Sequence, residues 1–268
     1  SLQAHDMYLA HFQLEREPFH ITPDPHFLYL SPSHKEAYAS MIYGLEQRKG
    51  FVAVIGEVGL GKTTVLRSFL TGRDSREDIK TIFVFNPNIS FRGLLHVIYA
   101  ELGYAAPWQG AFELTLSEHL HSIGDDPGPS DETFELVQHL HSQLIKEYEQ
   151  GTNVILVIDE AQNMPLETLE NLRMLSNLET ARDKLIQIFL IGQPELEKKL
   201  NAKELRQLKQ RIALRVILKP LTRAESIEYI RHRLQRAGAR DLSIFTRFAL
   251  WAIASLARGT PRKINILC

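Results

Sequence analysis

Two periodicities alternate along this chain. Five short apolar runs, at Phe51–Ile55 and at residues 81–85, 154–158, 186–191 and 214–218, are rich in β-branched residues and too short for helices. Nearly continuous apolar runs of this length predict strands buried on both faces, as in a parallel sheet. Between them apolar residues recur at three- and four-residue spacing, as over residues 134–148 and 166–178, which predicts helices covering that sheet. After Pro220 the pattern is helical only. Thr222 stands as a cap before a helix beginning at Arg223, Gly238 stops it, a second helix is predicted over 243–257, and Gly259, Thr260 and Pro261 break that one before a third begins at Arg262. The predicted fold is therefore α/β: a parallel five-stranded sheet flanked by helices over residues 1–220, then a small all-helical lid over 221–268 whose last helix reads as cut short. A segment at 7–50 precedes the first strand. Residues 107–130 have weak periodicity and end in the turn-rich Asp125-Asp126-Pro127-Gly128-Pro129-Ser130, which predicts a long insertion.

The first strand runs directly into Gly56-Glu57-Val58-Gly59-Leu60-Gly61-Lys62-Thr63, and Thr64 onward is helical in pattern. Strand, glycine-rich loop and helix are the context a phosphate-binding loop requires. Its glycines let backbone N–H groups turn inward around phosphates, with the positive end of a helix dipole behind them. Lys62 has the reach for the β- and γ-phosphates, and the Thr63 hydroxyl is a ligand for Mg²⁺. A second motif follows the strand at 154–158: Asp159 and Glu160 emerge at the carboxyl edge of the sheet, where open α/β folds bind ligands. Asp159 suits the Mg²⁺ shell, and Glu160 suits the orientation and polarisation of an attacking water. Alone, an Asp-Glu pair is as readily a helix-capping pair. Behind a phosphate loop it predicts a chain that binds ATP with Mg²⁺ and hydrolyses it.

The two motifs and the helical lid together resemble AAA+ ATPases. That resemblance implies that Gln193, in Gly192-Gln193-Pro194-Glu195 at the tip of the next strand, contacts the γ-phosphate or the water, unless it only caps the helix starting at Pro194. It implies that Arg262, in Gly259-Thr260-Pro261-Arg262, reaches from the lid to the nucleotide. It also implies an arginine finger offered to a neighbouring subunit from Arg206-Gln207-Leu208-Lys209-Gln210-Arg211, with Arg211 ahead of Arg206. The partners implied are ATP or ADP and further copies of the chain, in a ring or a filament.

Further residues narrow the branch. Phe12, Glu17-Pro18-Phe19, Thr22-Pro23-Asp24-Pro25-His26-Phe27-Leu28-Tyr29-Leu30-Ser31 and His34-Lys35-Glu36-Ala37 resemble the start of bacterial secretion ATPases typified by general secretion pathway protein A. Gly192-Gln193-Pro194-Glu195-Leu196, the run from Leu205 to Ile212, and Pro220-Leu221-Thr222 are similar to that family too. The resemblance implies an ATPase at the cytoplasmic face of the inner membrane, helping a secretion or pilus-type machine assemble its outer-membrane pore, with membrane or secretion proteins as partners. Family members often continue into a membrane span and a peptidoglycan-binding domain. The family also implies an aromatic-rich segment near the adenine, so Phe19, Ile21 or Tyr29 is expected either there or in a plain hydrophobic core.

Bulk properties constrain this picture without deciding it. The chain has 268 residues, 44% of them hydrophobic, and a formal charge of -1, so there is no global attraction to nucleic acid or anionic lipid. Its one cysteine, Cys268, excludes an intrachain disulfide. No apolar run approaches the roughly 18 residues of a membrane span, and the polar start lacks the order of a signal peptide, which predicts a soluble cytoplasmic chain. Charge is segregated: residues 93–145 contain no Lys or Arg, whereas Arg206, Lys209, Arg211, Arg215, Lys219 and Arg223 span a stretch without acid. Such a basic run also fits a phosphate backbone, which keeps open an ATP-dependent DNA-binding regulator of the transposition or replication-initiation type, or a nucleotide-gated scaffold with slow hydrolysis. The pairs His119/His121 and His139/His141 have no cysteine nearby, and alternate residues of a helix diverge, so no metal other than Mg²⁺ is expected.

Overall fold

The structure, a computed structural model, describes residues 2–22, 24–71, 78–104 and 131–268. The predicted insertion at 107–130 and the pair His119/His121 lie outside the described residues. By contacts the chain divides into two compact units, one of residues 1–38, 56–72 and 217–268, the other of residues 39–55 and 73–216.

The second unit is built on the sheet. Strands β1 (Phe51–Ile55), β2 (Ile79–Val84), β3 (Asn153–Ile158), β4 (Ile186–Gly192) and β5 (Ile212–Ile217) form a five-stranded sheet in the order β2-β3-β4-β1-β5. The pairs β2–β3, β3–β4 and β4–β1 are parallel. Every residue of the central strands β1 and β4 is buried, while β2 and β5 at the edges alternate between buried and more exposed positions. This is the burial that apolar runs in central parallel strands and mixed runs at edges require. One core joins Ile55, Leu156, Ile188 and Leu190 of the sheet to Leu94 and Ile98 of helix α4 (Phe91–Leu102), Leu140 and Leu144 of α5 (Asp131–Glu149), Leu169 and Leu172 of α6 (Leu166–Leu175), and Leu208. Ser90 caps α4 by accepting from the Gly93 N–H at 3.1 Å, and Gly103 ends it in the left-handed region at φ 71°. Register sets the working edge: Ile55 pairs with Gly192 and Ile158 with Leu190, so the chain leaves β1, β3 and β4 on one side of the sheet.

The other unit combines the amino-terminal segment, the loop after β1 and the helical carboxyl-terminal part. Phe19, Leu221, Tyr229, Ile230, Leu250, Ile253 and Ile264 form its core. Helix α9 (Arg223–Arg236) opens with a full capping box between Thr222 and Glu225. Its Arg233 is buried: Nε donates to the Pro18 carbonyl, Nη1 donates to the Tyr229 hydroxyl at 3.0 Å, and the guanidinium lies 4.5 Å over the Phe27 ring. Helix α10 runs Arg247–Ala257 rather than from 243, because Asp241 accepts the Ser243 N–H in a turn and Thr246, accepting from Ala249, is the cap. Helix α11 is Pro261–Leu267, with proline at its first turn.

Candidate nucleotide site

The loop begins where β1 ends, and Gly56 to Thr63 then feed helix α3 (Lys62–Thr71). Gly59 and Gly61 sit at φ 80° and 92°, conformations an L side chain rarely adopts. Leu60 N–H donates to the Glu57 carbonyl at 3.4 Å, and Val65 N–H donates to the Gly61 carbonyl at 3.0 Å to start the helix. Leu60 is buried as the loop's apolar anchor, while Glu57 and Val58 are exposed. Lys62 is only 6% exposed, and its Nζ donates to the carbonyls of Gly56 at 2.7 Å and Glu57 at 3.1 Å. Its ammonium is thus held within the loop, at the helix end whose N–H groups favour an anion.

Two other segments of the same unit hold this loop. The start of α11 touches it: Arg262 N–H donates to the Gly59 carbonyl at 3.3 Å, and a Cβ on Gly59 would stand 2.9 Å from Arg262 Cβ. The structure therefore brings the predicted lid arginine to the phosphate loop, with its side chain exposed. On another side, His34 near the start of α2 (Pro32–Glu46) donates from Nε2 to the Leu60 carbonyl at 2.7 Å.

The acidic pair is built in the sheet unit. Asp159 N–H donates to the Val84 carbonyl at 3.3 Å, and Asp159 Oδ1 accepts the Glu160 N–H at 2.8 Å. Glu160 lies in the left-handed region at φ 51°, a conformation that costs about 1–3 kcal/mol and persists only where surroundings enforce it. They do: Glu160 Oε2 accepts from Gln162 Nε2 at 2.5 Å and from Gln193 Nε2 at 2.9 Å, while Gln193 N–H donates to Gln162 Oε1 at 3.0 Å. Gln193 makes no side-chain cap on α7 (Pro194–Leu200), so its amide serves Glu160. A Cβ on Gly192 would lie 3.0 Å from Gln162 Oε1, so the glycine makes room for this contact. Gln162 is absent from the sequence-derived site. Its only signal is that it follows Glu160 by two residues, and that spacing means nothing until the short 3₁₀ turn Ala161–Asn163 fixes it.

Arg211, at the end of α8 (Arg206–Arg211), directs Nη1 to the Arg173 carbonyl at 3.3 Å, to Ser176 Oγ and to Asn177 Oδ1 at 2.5 Å, capping the carboxyl end of α6. Arg206 is exposed at the start of α8. Phe19 is buried in the helical core, Ile21 is 53% exposed, and the Tyr29 hydroxyl donates to Glu228 at 3.0 Å. Burial, then that carboxylate, push the Tyr29 phenol up to about 12. His139 and His141 diverge, toward the Tyr99 hydroxyl at 2.9 Å and the Glu179 carbonyl at 3.2 Å.

A parallel sheet with flanking helices, a lysine-bearing glycine loop opening a helix, and an Asp-Glu pair at the carboxyl edge define the class of P-loop AAA+ ATPases. The chain belongs to the family described as AAA domain, which matches residues 45–200. It is similar to General secretion pathway protein A of Aeromonas hydrophila, 40% identical over 263 residues, which is 98% of this chain and 44% of that protein. The chain thus spans less than half the length of this relative. Among solved structures it is similar to Cdc6p of Pyrobaculum aerophilum, with a TM-score of 0.63 at 18% identity over 95% of this chain and 65% of that one. The ORC2 protein of Aeropyrum pernix, solved with ADPNP and ADP, gives 0.57 at 17% identity over 91% and 65%. Domain III of the Thermotoga maritima replication initiation protein DnaA gives 0.52 at 17% identity over 91% and 85%. At these identities the likeness is one of fold.

Proposed function

We propose that this chain binds ATP with Mg²⁺ and hydrolyses it, and that it does so in the assembly of a secretion or pilus-type machine at the cytoplasmic face of the inner membrane. The observation that carries the first part is the loop Gly56–Thr63, with two glycines in left-handed conformation and the Lys62 ammonium drawn into it. Its amides and those of Thr63 and Thr64 cradle the phosphates, and Lys62 exchanges its carbonyl partners for phosphate oxygens. The Thr63 hydroxyl and the Asp159 carboxylate are hard oxygen donors, which suit Mg²⁺. Held by these two residues, Mg²⁺ would supply positive charge against the triphosphate. Glu160 orients the attacking water and accepts its proton, with Gln162 and Gln193 fixing the carboxylate. Arg262 reports the lid's position to the nucleotide, and Arg211 or Arg206 serves a neighbouring subunit's γ-phosphate in a homo-oligomer.

The secretion role is supported by the similarity to General secretion pathway protein A. Among the described residues no helix is long and apolar enough to cross a membrane. A DNA-loading role is less supported, because Lys209, Arg211 and Arg215 of the basic run already engage Asn201, Asn177 and Glu197. One experiment tests all of this: steady-state ATP hydrolysis against protein concentration, with and without DNA, for wild type and Lys62→Ala. The expected result is activity that rises more than proportionally with concentration, is indifferent to DNA and is abolished by Lys62→Ala together with nucleotide binding. Retention of nucleotide by Lys62→Ala would overturn the proposal, and steep, salt-sensitive stimulation by DNA would favour the regulator.

A further inference from the structure

We infer that His34 is a positioning residue that aims the Gly61 N–H of the phosphate loop at its anion, with Ser31 holding the imidazole in the tautomer this requires. The inference rests on the loop being a triphosphate site. His34 is 4% exposed, and its two ring nitrogens are both engaged, Nε2 with the Leu60 carbonyl at 2.7 Å and Nδ1 with Ser31 Oγ at 2.5 Å. A carbonyl only accepts, so Nε2 carries the proton and Nδ1 accepts from the serine hydroxyl. Burial lowers the pKa of the imidazole, which favours this neutral, singly protonated form. Ser31 is fixed in turn: it precedes Pro32 at the start of α2, its carbonyl accepts the Lys35 N–H at 2.9 Å, and its Oγ accepts the backbone N–H of His34 at 3.4 Å.

The consequence for the loop follows from peptide geometry. The Leu60 carbonyl and the Gly61 N–H belong to one planar unit, and no peptide bond here is cis, so the two groups point in opposite directions. Gly61 has φ 92° and no side chain, and rotation of that peptide is the soft motion available to it. By gripping the carbonyl, His34 turns the N–H to the side away from α2. The ring is close enough that a Cβ on Gly61 would lie 3.2 Å from Nε2, so the glycine is needed for the contact as well as for the turn. With Arg262 N–H on the Gly59 carbonyl, two successive peptide units of the loop are held from outside by different segments.

The test is equilibrium binding of ADP and of ATP with Mg²⁺ to wild type, His34→Gln, His34→Leu and Ser31→Ala, each checked for its fold by thermal melting without nucleotide. His34→Gln keeps an amide N–H near the position of Nε2, whereas His34→Leu fills the space without a donor. A hydrogen bond to a charged group sets the scale, so His34→Leu is expected to weaken nucleotide binding about tenfold or more, and His34→Gln to restore it to within about threefold of wild type. Ser31→Ala is expected to fall between them. Wild-type affinity in His34→Leu, or equal losses in the Gln and Leu variants, overturns the inference while leaving the loop's role intact. Where the His34 variants do not fold, unchanged affinity in Ser31→Ala overturns it. Failure of the wild type to bind either nucleotide removes the loop's proposed function itself.

Discussion

Glu160 shows how much a single side chain depends on its neighbours. Its left-handed backbone comes from one turn, and its two amide partners come from that same turn and from the tip of one adjacent strand. Gln162→Ala should therefore leave nucleotide affinity near wild type while lowering kcat by about tenfold or more, because it loosens the carboxylate that orients water. Steady-state kinetics alongside nucleotide titration measure the split. Asp159 and Glu160 were legible as a pair after an apolar strand. Gln162 was not, since a glutamine two residues on carries no periodic signal. His34 and His232 make a second prediction at this scale. Burial lowers both pKa values, so the unfolded chain takes up protons first as pH falls through the ordinary histidine value of about 6.5. Stability is therefore full above that pH and declines below it, and thermal melts from about pH 7.5 to 5 should show the decline, shallower in His34→Gln.

The elements of the helical unit depend on their ends. Gly259 lies at φ 72°, and its carbonyl accepts the Leu221 N–H at 2.8 Å. A Cβ there would fall inside contact distance of the Leu221 carbonyl oxygen and 2.7 Å from the Leu221 nitrogen. Gly259→Ala therefore meets backbone that cannot move aside, and a loss of about 2 kcal/mol or more is expected in denaturant unfolding, with weaker nucleotide binding because α11 meets the loop at Gly59. Thr222→Ala removes the capping box of α9 and should cost about 1 kcal/mol without altering the loop. The start of α9 at Arg223 was legible because Thr222 and Glu225 are a local signature. The start of α10 was misplaced by four residues, since Asp241 takes the Ser243 N–H into a turn and Thr246 is the cap.

Assembly belongs to the whole molecule, and Arg211 and Arg206 test it. In the single chain Arg211 already stabilises the end of α6, so Arg211→Ala should lower the melting temperature as well as any concentration-dependent hydrolysis. Arg206 is exposed, so Arg206→Ala should leave the melting temperature unchanged. Loss of hydrolysis in Arg206→Ala alone would make it the finger, and melting curves run beside hydrolysis at several protein concentrations separate the two cases. By contacts, the amino-terminal segment and the phosphate loop group with the carboxyl-terminal helices. Hydrophobic periodicity reports which face of an element is apolar and is silent about which distant segment covers it.

The sequence by itself determined the five strands, the loop that opens α3, the acidic pair and the family, because each is written in contiguous residues whose period or spacing is set by local backbone geometry. Only the tertiary structure decided that Gln162 and Gln193 share one carboxylate, that Arg262 meets Gly59, and that His34 grips Leu60 from 26 positions away. Those contacts join segments far apart in the chain or turn side chains within a loop, and nothing in local pattern encodes where a long-range hydrogen bond will close.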